Sequence, residues 1–215
     1  MKKIRKNNTE HKFFVREIDN MKKMSECVNS CKYDIDFEDN DYYYIAMEKC
    51  DGDLTDLLNE YNNGLPESLI KNILLQLNKA FKMMKEKNII DIDLKPQNIF
   101  IKYNPENKNE FTVKIGDYGF YKEEYGSINF SGPAGYVAPE QRKFNYDPSK
   151  RDLWAIGVMI YMLKFKSLPY IDFYVGSIPK KFDDNNLDDL VNQLIVVDPN
   201  KRISWEDYFK HPYFK

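Results

Sequence analysis

Asp91-Ile92-Asp93-Leu94-Lys95-Pro96-Gln97-Asn98-Ile99-Phe100 is the stretch on which the reading of this chain turns. It sets two carboxylates, an ammonium and a carboxamide close together, between a long helical pattern and a hairpin pattern. Pro96 stiffens the bend that holds them. These residue types can orient a hydroxyl beside a metal-bound phosphate, so the stretch reads as a catalytic loop. The plainer alternative is a solvated polar turn between a helix and a strand, and the remainder of the chain decides between the two.

Outward from that loop, composition sets bounds. The chain has 215 residues, 42% of them hydrophobic, enough for one domain or two small lobes with a real core. Its 32 basic and 34 acidic residues are mixed along the chain and leave a formal charge of -2, so nucleic acid is not an expected partner. No run approaches the ~18 apolar residues that span a bilayer, and no signal-peptide apolar region follows Met1; no membrane association is expected. The expected location is intracellular, cytoplasmic first. The basic start Lys2, Lys3, Arg5, Lys6 reads as a solvated run, with a nuclear localisation signal as the alternative. Three cysteines, Cys27, Cys31 and Cys50, make no disulfide framework and lack the C-x2-C spacing of a zinc site, so buried thiols in a reducing compartment are expected.

The hydrophobic pattern then gives the elements. Phe13, Phe14, Ile18, Met21 and Met24 recur at helical spacing, with Thr9 as N-cap. Tyr33, Ile35 and Phe37 alternate with Asp34 and Asp36, turn residues Asp39-Asn40-Asp41 follow, and Tyr42 to Met47 forms a second strand; this predicts a hairpin. Residues 48–53, with Gly52, read as a connector. From Pro66 the positions Ile70, Ile73, Leu74, Leu77, Phe81 and Met84 predict a long helix that leads into the loop at Asp91. Residues 99–101 and 111–115 flank a polar turn and predict a second hairpin. Helices are expected at Leu153 to Phe165, Leu187 to Val196 and Trp205 to Tyr208.

Asp-Leu-Lys-Pro-x-Asn at Asp93 to Asn98 is followed one hairpin later by Asp117-Tyr118-Gly119. Ala138-Pro139-Glu140, then Asp152-x-Trp154-x-x-Gly157, then Arg202 and His211-Pro212-Tyr213-Phe214, come in turn. In this order and spacing the motifs resemble the catalytic domain of eukaryotic-type serine/threonine protein kinases. The resemblance implies an α+β, two-lobe kinase-like fold, with a truncated small β lobe at residues 1–50 and a mainly helical large lobe at residues 51–215 carrying the catalytic loop and activation segment. It implies ATP and magnesium as cofactors and a Ser/Thr-bearing protein as substrate, and leaves the oligomeric state open. By the same resemblance Asp93 and Lys95 are the catalytic residues, and Asn98 and Asp117 bind magnesium. Lys2 would hold the α- and β-phosphates, with Lys3 competing for that place, and Glu17 would pair with it. Met47 would be the gatekeeper, Glu48 and Cys50 would face the adenine edge, Asp53 the ribose, and Phe100 completes the nucleotide site. Glu140 would pair with Arg202.

The chain also departs from the pattern. No Gly precedes Gly52, so no glycine-rich loop lies upstream, and the expectation is either weak nucleotide binding or a chain truncated from a longer reading frame. Asp91-Ile92 replaces His-Arg ahead of Asp93, which removes the cation that reads a phosphorylated activation segment; phosphorylation of Ser127 or Ser131 is not expected to switch activity. Pro133 replaces a Thr that would touch the catalytic Asp and Lys. Asp91 and Tyr118 suggest a hydrogen bond in place of an apolar stack. Two functions follow: a serine/threonine protein kinase of full or reduced activity, or a pseudokinase or truncated kinase serving as a protein-binding module.

Overall fold

The computed structural model describes residues 1–6, 10–89, 93–118, 136–142, 150–169, 178 and 180–215. Thr9, Asp91, Ile92, Gly119, Ser127, Ser131 and residues 132–135 lie outside the described residues, so the readings that fall on them rest on sequence alone. The described elements in chain order are β1 (Lys2–Arg5), α1 (Glu10–Lys23), β2 (Tyr33–Glu38), β3 (Tyr42–Met47), β4 (Gly52–Asp53), α2 (Leu54–Asn59), α3 (Glu67–Glu86), β5 (Ile99–Tyr103), β6 (Phe111–Ile115), α4 (Arg151–Phe165), α5 (Asn185–Leu194) and α6 (Trp205–Lys210). The class is α+β, as expected. Among the described residues no helix is long and apolar enough to cross a membrane.

The chain divides into two compact units. The first comprises Met1–Leu54, Gln76–Asp93 and Gln97–Tyr121. It holds an antiparallel sheet of order β1-β3-β2, with Lys2 opposite Ile45 and Tyr33 opposite Met47. The β2–β3 turn closes because Asp39 Oδ1 accepts from the backbone N–H of both Asp41 and Tyr42, an Asx turn. β2 is an edge strand, so Ile35 and Phe37 stay about half exposed and the Phe37 ring stacks on Tyr44. α1 buries Phe14, Ile18 and Met21, one stripe at helical spacing that Met24 continues just past its end, and Glu17 falls on that same stripe. A second sheet of order β4-β5-β6 places Asp53 opposite Phe100 and Ile99 opposite Ile115. The segment between α1 and β2 is fastened along β6: Ile115 N–H donates to Asn29 O, Cys31 N–H to Ile115 O, and Asn29 Nδ2 to Val113 O.

The second unit comprises Thr55–Leu75, Leu94–Pro96 and Lys122–Lys215. α4 is buried on nearly every side, the signature of a core helix rather than an amphipathic one. Gly157 allows the chain after α5 to approach it, since a Cβ there would fall 2.7 Å from Ile195 Cγ1. α5 starts at Asp184, whose side chain accepts from the N–H of Asn186 and Leu187, and α6 at Ser204, which accepts from Asp207 N–H. Gly64 takes φ 84°, and a side chain there would strike Lys164 O. The expected partner of Glu140 is Arg202: its guanidinium donates to Oε1 at 2.5 Å and Oε2 at 2.9 Å, and also to Lys150 O and Val196 O, while lying over the Trp154 ring.

Two sequence expectations need amendment. Residues 48–53 are not merely a connector, because Gly52–Asp53 pairs with β5 and α2 begins at once. The helix expected at 187–196 runs from Asn185 to Leu194, starting where the Asp184 cap sets it. The Tyr118 hydroxyl donates to Ser30 Oγ at 2.7 Å in a buried contact, because the ring is directed into the segment that follows α1; the hydrogen bond expected between Tyr118 and Asp91 involves a residue outside those described.

The Arg202 side chain is fully buried and Glu140 nearly so. Removing one member strands the other charge without water, which costs about 3–5 kcal/mol. Arg202→Ala should therefore lower the urea midpoint strongly, and Glu140→Gln, which keeps an acceptor for the guanidinium, should lower it less. Equal, small shifts in both variants would show that the pair contributes little.

Candidate active site

The site assembles in the first unit around Lys2. Alternation along β1 turns Lys2 and Ile4 inward and Lys3 and Arg5 outward. Lys3 is thereby excluded from the site; its ammonium lies 3.7 Å from the centre of the Tyr42 ring. Lys2 Nζ instead donates to both oxygens of Glu17, each at 2.8 Å, and to Asp117 Oδ1 at 2.9 Å. Residues from β1, α1 and the segment just after β6 thus meet on one ammonium.

Burial sets the electrostatics of this trio. Glu17 is 2% exposed, while the side chains of Lys2 and Asp117 keep 30% and 24%. Burial opposes the charge on Lys2, but the carboxylates of Asp117 and Glu17 outweigh it and hold Lys2 above its ordinary value. Burial, aided by the Asp117 charge and opposed by Lys2, pushes Glu17 up to about 7.

Asp93 and Asn98 are joined across the turn between them. Asn98 Nδ2 donates to Asp93 O at 2.8 Å and to Asp93 Oδ2 at 3.1 Å, and the short 3-10 turn Pro96–Asn98 holds that spacing. Since both contacts use the amide nitrogen, Oδ1 is the Asn98 atom with metal-ligand character. Lys95 lies between them in sequence and is partly buried. Gly116 N–H donates to Asn98 O at 3.0 Å, tying the residue before Asp117 to the loop. A Cβ on Gly116 would fall 1.9 Å from the Phe100 ring, so only glycine lets Phe100 lie there. Phe100 in turn faces Asp53 in the β4–β5 register. Met47 ends β3 and is partly exposed, as is Cys50.

Sequence reasoning missed what anchors the segment after β3. Glu48 N–H is committed to Lys32 O at 2.8 Å. Its side chain pairs with Lys102 at 2.6 Å and with Lys114 at 3.0 Å, and Lys114 Nζ also donates to Val28 O. Burial works against the Glu48 charge, but the two lysines hold its carboxyl below the ordinary range. The available signal was Lys114 itself, a lysine between Val113 and Ile115 in a strand, which at 4% exposure requires a carboxylate.

The oxygen donors present, the Asn98 amide and the Asp117 carboxylate, suit a hard cation such as magnesium, which takes one or two protein ligands and completes its shell with phosphate and water. Among the described residues no group of three or more His, Cys, Asp or Glu forms a self-sufficient metal cage.

A pH dependence follows from Glu17. Folding raises its pKa from 4.5 to about 7, so the folded chain holds that proton more tightly than the unfolded one. Its stabilising contribution is full below about 4.5 and is lost as pH rises through about 7. Glu17→Gln mimics the protonated form and lacks this loss. The melting temperature of the variant relative to wild type should therefore rise between those pH values; a constant difference would contradict a raised Glu17.

The comparison with known proteins agrees with this arrangement. A family model described as "Protein kinase domain" matches residues 1–214. The serine/threonine-protein kinase cds1 of Schizosaccharomyces pombe is 31% identical over 94% of this chain and 47% of its own length. Serine/threonine-protein kinase ULK3 of Xenopus laevis is 31% identical over 82% of this chain and 40% of its own. Serine/threonine-protein kinase atg1 of Dictyostelium discoideum is 32% identical over 83% of this chain and 29% of its own. The chain thus spans less than half the length of these relatives. With the motifs in order, the charged trio on Lys2 formed and the family model matched almost from end to end, the chain belongs to the protein kinase domain family.

Proposed function

We propose that the chain transfers the γ-phosphate of ATP to a serine or threonine hydroxyl of a protein substrate, with magnesium as cofactor. The observation that carries this reading is the contact of Lys2 with both Glu17 and Asp117, because it gathers the phosphate-binding cation and a metal-binding carboxylate at one place. Names of relatives as serine/threonine-protein kinases support the substrate class.

In this mechanism Lys2, fixed by Glu17, holds the α- and β-phosphate oxygens. Met47, the Glu48 carbonyl and Cys50 form the adenine edge, Asp53 accepts from the ribose hydroxyls, and Phe100 packs beneath the base. Asn98 and Asp117 hold magnesium, which when bound neutralises phosphate charge as it develops. Asp93 accepts the proton of the incoming hydroxyl, and its bond from Asn98 Nδ2 keeps the carboxylate turned to one side of the loop. Lys95 steadies the transferring group by its charge. Residues 1–50 act as a small lobe and residues 51–215 as a large one.

The test is transfer of labelled γ-phosphate from Mg-ATP to a mixed Ser/Thr protein substrate. Asp93→Asn should lower the rate by about 10²–10⁴-fold, the range for a positioned base, with nucleotide affinity retained. Asp117→Asn should instead abolish the magnesium dependence of nucleotide binding. Equal transfer by wild type and Asp93→Asn would reject the assigned base, and no transfer by folded wild type would favour a binding module.

A further inference from the structure

Two of the three cysteines meet beside the segment assigned to the adenine edge. Cys31 Sγ and Cys50 Sγ lie 3.8 Å apart, although the residues are 19 positions apart in sequence. The pairing of β2 with β3 brings them together: beyond Tyr33 opposite Met47, Glu48 N–H donates to Lys32 O at 2.8 Å, and the two thiols sit at the next step outward. Both backbones are held. Cys31 N–H donates to Ile115 O at 2.9 Å, and Asp51 N–H, next to Cys50, to Ile101 O at 2.8 Å. The two thiols differ in access, since Cys31 is 1% exposed and Cys50 is partly exposed. Cys27, also buried, has no such thiol partner among the described contacts.

We propose that Cys31 and Cys50 form a dithiol site that hydroperoxides convert to an intramolecular disulfide, tying the segment after β3 to the segment before β2. Cys50 is the thiol a peroxide can reach. The Cys31 contact lowers its pKa, with Lys114 and Lys102 aiding and burial and Glu48 opposing, whereas Cys31 is held high by that same contact and by burial. In the first step the Cys50 thiolate attacks one oxygen of the hydroperoxide. An S–O bond forms and the O–O bond breaks; the leaving oxygen takes a proton and departs as water or an alcohol. Cys50 is thereby oxidised by two electrons to the sulfenic acid, and the peroxide is reduced. In the second step Cys31 sulfur attacks Cys50 sulfur, the S–S bond forms, the S–O bond breaks, and the hydroxyl leaves as water with the Cys31 proton. Closing the sulfurs from 3.8 Å to about 2.05 Å falls on the Cys50 side, because Cys31 is packed and bonded to β6.

The consequence for nucleotide binding rests on the function proposed above, whereas the thiol chemistry does not. The disulfide would draw Cys50 toward Cys31, displacing the backbone where the adenine edge would bind, and so weaken ATP binding until a thiol reductant releases it.

The full chain is reduced, treated with hydrogen peroxide in its folded state, alkylated, digested and mapped by mass spectrometry without reduction. The expected result is a linked peptide pair joining Cys31 to Cys50, loss of two hydrogens from the intact mass, reversal by a thiol reductant, and Cys27 alkylated throughout. In Cys31→Ser the link should vanish and a sulfenic-acid trap should label Cys50; Cys31→Ala repeats this measurement should the serine variant fail to fold. Over-oxidation of Cys50 with Cys31 still free in wild type, or a link through Cys27, would overturn the proposal. So would a Cys50 that stays reduced while methionines oxidise. ATP affinity of the oxidised and reduced chains is then compared, and the oxidised form should bind several-fold more weakly. Equal affinities with the disulfide formed would overturn its effect on the adenine edge. Absence of ATP binding by either form, with the disulfide formed, would reject the nucleotide reading and leave the thiol site standing.

Discussion

The constraint on which the first unit depends is that Glu17 is buried while carrying an acid group. A carboxyl at 2% exposure must either keep its proton or be met by a cation, and Lys2 is the cation supplied. That single requirement links β1 to α1. It also fixes the facing of β1, because a shift by one residue would point Lys3 inward and send Lys2 out. Asp117 then joins as a second acceptor on the same ammonium, so the chain after β6 is bound to the same point. Three elements distant in sequence are positioned by one charged group.

A second charged cluster does comparable work around the segment after β3. Lys114 is buried within β6 and needs an acceptor, which Glu48 and the Val28 carbonyl provide. Together with Asn29 on Val113 and Tyr118 on Ser30, these bonds hold the segment between α1 and β2 against β6. The backbone from Glu48 to Asp53 is thereby fixed from one side by Lys32 and from the other by Ile101. A groove for a flat heterocycle requires such a fixed backbone, since affinity gained from a few hydrogen bonds is lost if the chain must be ordered on binding.

Much of this was legible in the sequence. The helical stripes and the alternating runs gave α1, α3 and both hairpins, because those patterns report burial directly. Motif order gave the family, and Glu140 with Arg202, because those motifs are tied to type and spacing. Long-range partners of polar side chains were not legible. Nothing local marks Ser30 as the acceptor of the Tyr118 hydroxyl, or Glu48 as the partner of Lys114, since each bond depends on two segments meeting. α2 was missed because its Leu54-Thr55-Asp56-Leu57-Leu58-Asn59 is too short for a period to emerge. The thiol contact escaped for a related reason: Cys31 and Cys50 meet only through the register of a hairpin whose strands end before either of them.

Arg202 and Lys2 are both cations paired with carboxylates, and their surroundings separate a structural role from the site role proposed for Lys2. Arg202 has no exposure, and its guanidinium is spent on Glu140, Lys150 O and Val196 O, with Trp154 against its face. Such a group holds its neighbours and can receive nothing further. Lys2 keeps about a third of its side chain open and Asp117 about a quarter, so the acceptor and donor surfaces of that pair reach solvent. A charge kept partly in water gives up stability that full burial with perfect pairing does not recover either. What partial exposure adds is access for a charged ligand, and that access, rather than the ion pairing, distinguishes the trio as the place where phosphate oxygens would be received.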